Sequence, residues 1–182
     1  MMQNKLEKNP QKSVQIKNWP EKIRIFSGAQ LKYLAFISML IDHVNKALIY
    51  PNLDGSAGLQ IISDLFDILG RIAFPLFMFL LVEGYFKTRS RWKYLLYLLG
   101  FGVISEVPFD LFTTSQVFEP NWNNIMFTLA AVLITIWSID TLREKMDRLP
   151  KLLWYLASVV IVAVMCFAAM NLGLDYEHHA IL

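Results

Sequence analysis

Lysine and arginine fall along this 182-residue chain in a pattern that few folds can accept. Seven lie at or before Lys32, four in "KTRSRWK" (Lys87, Arg89, Arg91, Lys93), and four at Arg143, Lys145, Arg148 and Lys151. Apolar stretches separate these clusters, and the connections 50–65 and 113–122 hold no Lys or Arg, nor does the tail after 172. A bilayer core of ~30 Å takes about 20 apolar residues per helix. Basic connections stay on the cytosolic side. The alternation therefore predicts five spans near 31–50, 66–86, 92–112, 123–141 and 151–172, with the N-terminus cytosolic.

Composition agrees, since 55% of residues are hydrophobic and the mean hydropathy is +0.42, well above a soluble domain of this size. Backbone polar groups in hydrocarbon must be satisfied within each segment, so the expected fold class is all-α, a polytopic transmembrane helix bundle. Residues 1–30 read as a basic cytosolic tail without a signal-peptide core, and 31–182 as the membrane domain. Two readings of the tail stand side by side: a flexible segment, or an apolar side to "VQIKNWPEKIRIF" that lays Trp19, Ile23 and Phe26 on the inner leaflet beside Lys22 and Arg24. The single cysteine, Cys166, allows no intrachain disulfide, and no Cys/His spacing suits a metal site. Dispersed, leaflet-bound basic residues give no case for nucleic acid. There is no G-x-S-x-G elbow, Walker A loop or H-E-x-x-H, which removes support for soluble hydrolases, nucleotide motors and zincins.

Ionisable side chains inside a span cost several kcal/mol on insertion scales, so they face a protein interior or watery cavity and mark function. In "SMLIDHVNKAL" Asp42 and His43 lie ~15 to 17 Å from Lys32, near the bilayer middle, with Lys46 further out. Glu106 and Asp110, ~20 and ~26 Å beyond Lys93, share one helix face. Pro108 between them removes a backbone donor and frees the carbonyl of Ile104. Asn124 and Thr128 enter from the same side.

Two ionisable pairs carry competing readings. Asp67 and Arg71, four apart, make either a local salt bridge or an inward-pointing Arg71 that meets Glu106, Asp110 or an anionic group. Glu83 either pairs with Lys87 or stands at the mouth of a cytosolic pocket. Imidazole is the side chain whose unperturbed pKa lies nearest neutrality, so the residue type at His43 suits proton transfer at a weak nucleophile. Its orienting partner is open between Asp42 and a carboxylate of the third span.

The blocks "LKYLAFISMLIDHV", "LGRIAFPLFMFLLVEGYFKTRSRWKYLLYLLGFGVISEVPFDL" and "NNIMFTLAAVLITIW" resemble the TraX family, named for conjugative F-pilin acetylation. The resemblance covers roughly 31–141. It implies a multi-helix bacterial inner-membrane acetyltransferase, akin to integral-membrane acyltransferases that carry acyl groups from cytosolic acetyl-CoA to acceptors outside. The family blocks fall on Asp42-His43, Gly70-Arg71 with Pro75, Glu83-Gly84, and Glu106 with Pro108 and Asp110. "LGLDYEHHAIL" resembles the family's L-x-x-D-Y-G block with Glu177 in place of Gly. Members continue for several helices beyond it, so a C-terminally shortened domain is expected.

The expected chemistry assigns His43 and Asp42 to catalysis. Arg71, Glu106, Asp110, Asn124 and Lys46 bind the acceptor or the oxyanion, and Glu83, Arg89, Arg91 and Lys93 serve the acetyl-CoA mouth. No metal is expected. The acceptor is an amine or hydroxyl of a peptide N-terminus such as pilin, a glycan or a small molecule, and the lipid bilayer is the other partner. Two alternatives stand beside it: a proton-coupled transporter relaying through Asp42, His43, Glu106 and Asp110, and an assembly or immunity-type membrane protein without chemistry.

Overall fold

The computed structural model describes residues 26–119, 123–145 and 150–174. The tail residues Trp19, Lys22, Ile23 and Arg24, together with Arg148 and Glu177, lie outside the described residues. The chain is an all-α membrane helix bundle: α1 (Gly28–Val44), α2 (Ala57–Arg71), α3 (Ala73–Lys87), α4 (Arg91–Thr113), α5 (Ile125–Lys145) and α6 (Lys151–Asn171). Four helical stretches are long and apolar enough to cross a membrane: Ala57–Lys87, Arg91–Thr113, Ile125–Lys145 and Lys151–Asn171. The expected first span, α1, is 17 residues long and is not among these four; it opens on a capping box between Ser27 and Gln30, which satisfies two otherwise orphaned donors. Its path continues past Val44 through one π-helical turn, Asn45–Ile49, and a 3-10 turn, Tyr50–Asn52.

The second span begins earlier than the hydropathy pattern predicts. Residues 57–65 are helical rather than loop, because "AGLQIISDLFDIL" holds no proline and places its small residue Ser63 and later Gly70 on the face buried against α1. The break at Ile72 between α2 and α3 has a local cause. Pro75 cannot donate to the carbonyl of Arg71 and its ring crowds that carbonyl, so the ladder is interrupted one turn earlier. The hydroxyl of Ser38 on α1 caps the disturbed turn, donating to the carbonyls of Leu69 and Gly70.

Helix α5 is the hub, packing on α3, α4 and α6, while α1 packs along α2 and α3. Leu129, Ala130, Val132 and Leu133 of α5 meet Leu81 and Tyr85 of α3 and Leu95 of α4 in one buried cluster. Large apolar side chains, among them Ile61, Ile68, Phe101, Ile104, Val159 and Phe167, are exposed around the bundle. In water such a surface would aggregate; in a bilayer it is the lipid contact. Between α1 and the α2–α3 pair the buried residues are small or polar instead: Ala35, Ser38, Ser63, Gly70 and Ala73.

Among the described residues, basic side chains of separate clusters meet at one end of the bundle: Lys32, Lys87, Arg89 and Lys93 surround one opening. Arg91 at the start of α4 reaches Asp140 of α5 at 2.7 Å, and Arg143 lies over the Trp154 ring of α6 at 5.8 Å.

Candidate functional site

Two cavities open between α1, α3, α4 and α5. The first, about 710 Å³, has a basic rim of Lys32, Lys87, Arg89 and Lys93 and apolar walls that include Phe36, Leu80, Leu98 and Leu129. The second, about 610 Å³, holds Asp42, His43, Lys46 and Asn124 among Met39, Phe74, Phe109 and Phe112. Phe77 and Met126 line both.

His43 is held by its own helix. Its Nδ1 lies 2.8 Å from the carbonyl oxygen of Met39, and a carbonyl only accepts, so Nδ1 carries the proton and Nε2 is the basic nitrogen. The ring packs on Phe112, centroids 5.0 Å apart. Neither expected orienting carboxylate fills that role. Asp42 Oδ2 is 3.9 Å from Nδ1, beyond hydrogen-bond reach, and Glu106 and Asp110 do not line the cavity. Sequence reasoning missed the Met39 carbonyl, although the i−4 position on a helix is where such a partner stands.

Asp42 instead anchors Lys46, whose Nζ donates to Oδ2 at 2.7 Å. Lys46 keeps two further donors for a group in the cavity. Asp42 also presses on Gly70: a Cβ added there would sit 2.6 Å from Asp42 Cβ and 2.8 Å from Oδ1. Only glycine lets α1 and α2 approach so closely at this level. One turn on, the buried Asn45 donates from Nδ2 to the Ser63 carbonyl at 3.0 Å and to Asp67 at 3.3 Å. That lateral bond accompanies the π turn starting at Asn45, a distortion often found beside functional residues.

Asn124 lines the cavity but its polar atoms are committed. Nδ2 donates to the Gly102 carbonyl at 2.8 Å and to Glu106, while Oδ1 accepts from Met126 N–H at 2.9 Å. It is the N-cap of α5 and has no donor left for an oxyanion. Glu106 and Asp110 sit behind it. Asp110, fully buried, accepts from Glu119 N–H at 2.9 Å, and one oxygen of each carboxylate has no partner among the described residues.

The remaining expected site residues separate. Arg89 and Lys93 line the basic cavity and are exposed. Arg91 does not: its guanidinium pairs with Asp140, covers the Tyr85 ring at 4.6 Å and shares Asp140 with the Tyr85 hydroxyl at 2.8 Å. Position 91 turns toward α5 because it is two residues from Arg89 across the Ser90 N-cap. Glu83 pairs with Lys87 at 2.5 Å and stays out of the lining. Arg71, 80% exposed, points away from the cavity and lies 3.8 Å from Asp67, the local salt bridge rather than the inward arginine. Lys32, Lys87 and Tyr94 join the basic cavity without having been singled out.

No solved structure shows a significant match to the chain. Over 118 residues it is 37% identical to a probable fimbrial assembly protein, FimC of serogroup H1, from Dichelobacter nodosus, covering 61% of this chain and 46% of that one. The chain thus spans about half the length of the curated relative it matches. A family model described as TraX protein matches residues 27–182. That match takes in every helix of the bundle and both cavities, and the chain belongs to the TraX family.

Proposed function

We propose that this protein is an inner-membrane acetyltransferase, moving an acetyl group from cytosolic acetyl-CoA to an amine or hydroxyl of an acceptor at or beyond the membrane. One observation carries the reading: a basic-rimmed cavity and a histidine-bearing cavity abut at Phe77 and Met126. The polyanionic nucleotide of CoA suits the rim of Lys32, Lys87, Arg89 and Lys93, with the basic end of the bundle cytosolic. The apolar walls below suit the pantetheine arm. At the boundary the thioester carbonyl would come within reach of His43.

In the transfer, the acceptor nitrogen or oxygen attacks the thioester carbonyl carbon while His43 Nε2 removes its proton. Lys46, held by Asp42, donates to the oxyanion that develops. The new C–N or C–O bond replaces the C–S bond, and the departing CoA thiolate takes the proton from the imidazolium. Proton and acetyl group are then both accounted for without any further reactant. The name of the D. nodosus relative refers to fimbrial assembly, which together with family membership makes a pilin-type N-terminus the first acceptor to test.

The experiment supplies purified protein in nanodiscs with acetyl-labelled CoA and either membrane extract or pilin-type peptides. Label in an acceptor, with stoichiometric CoA release, is the expected result. Movement of a solute into proteoliposomes with no label transferred would replace this reading with the transporter.

A further inference from the structure

The boundary between the cavities lies at one level on all four helices. On α1 the lining passes from Phe36 to Met39, and on α4 from Leu98 to Ser105. On α3 it passes from Leu80 to Phe74 with Phe77 in both, and on α5 from Leu129 to Ile125 with Met126 in both. Phe77 is braced by an edge-on contact with Phe36, centroids 5.9 Å apart. The backbone at Met126 is held by its N–H bond to Asn124 Oδ1 at 2.9 Å, and its Cβ lies 3.4 Å from where a Gly102 Cβ would stand. Two large apolar side chains from facing helices therefore stand where the donor and acceptor cavities meet.

We infer that Phe77 and Met126 set the length of the acyl group this protein transfers, restricting it to acetyl. The inference rests on the transferase reading and adds a substrate limit to it. For the carbonyl to be attacked from the His43 side, the acyl group must occupy the boundary itself. There a two-carbon group displaces little, whereas each added methylene must displace Phe77 or Met126 or fill space the acceptor needs. One methylene mismatched to an apolar pocket changes selectivity by about 10-fold or more.

The test compares acetyl-, butyryl- and octanoyl-CoA with the unsubstituted protein, Phe77→Ala and Met126→Ala in nanodiscs, reading CoA release and acyl transfer in competition. The unsubstituted protein should favour acetyl over octanoyl. Each variant should move that ratio about 10-fold or more toward the longer chain. Phe77→Leu, which keeps an apolar filling, serves if Phe77→Ala does not fold, and should move it in the same direction by less. Acetyl transfer with an unaltered chain-length ratio in folded variants overturns this inference and leaves the transferase reading standing. No transfer by the unsubstituted protein from any acyl-CoA overturns both.

Discussion

Gly70→Ala tests how closely the site depends on the α1–α2 approach. The added methyl would lie 2.6 Å from Asp42 Cβ, 2.8 Å from Oδ1 and 3.1 Å from Cγ. Non-bonded carbons rest about 3.5–4.0 Å apart, so the helices must separate locally by roughly 1 Å. Overpacking of this kind costs about 1–3 kcal/mol. The displaced residue holds Lys46 and is next to His43 in the chain. A misplacement of about 1 Å in a reacting group costs up to about 100-fold in rate. Gly70 lies outside the lining of the basic cavity, so CoA affinity should stay. The assay pairs thermal unfolding in detergent with acetyl transfer and CoA binding on the same preparation. A Gly70→Ala protein with unchanged Tm and unchanged transfer would refute the reasoning.

Other residues divide the roles further. Arg89→Ala and Lys93→Ala should weaken CoA binding, more at low salt than high. Arg91→Ala should instead lower the Tm and leave CoA affinity near normal, because its guanidinium serves Asp140 and Tyr85. Calorimetry at two ionic strengths separates the two outcomes. Asn124→Ala should cost about 2 kcal/mol or more, about 1 from the lost α5 cap and the rest from leaving Glu106 and the Gly102 carbonyl without their donor. Chemical denaturation monitored by tryptophan fluorescence checks it. Arg71→Ala should leave transfer unchanged, since an exposed i,i+4 pair is worth at most about 1 kcal/mol and the side chain is away from both cavities.

How far the sequence could be read depended on the kind of signal. Loop charges and apolar length are summed over many residues, so the helical bundle was legible. The early start of α2 was not, because Asp64 and Asp67 lower the hydropathy of a helix whose small residues pack on α1. At the site, placing Asp42, His43 and Lys46 needed only depth along one helix, and these three share a cavity. Direction around the helix was harder. Glu106 and Asp110 have the right depth, yet face Asn124 and the Glu119 backbone rather than His43. The Asp42–Gly70 contact depends on a crossing of two helices that no spacing within one of them encodes.

The central claim is that His43 Nε2, left basic by the Met39 bond, removes the proton from an acceptor that attacks acetyl-CoA. The most direct measurement is single-turnover acetyl transfer by His43→Ala against the unsubstituted protein, with CoA affinity determined on both. The account predicts a loss of about 100- to 10,000-fold in transfer with CoA affinity retained. Transfer by His43→Ala at the unsubstituted rate would contradict it.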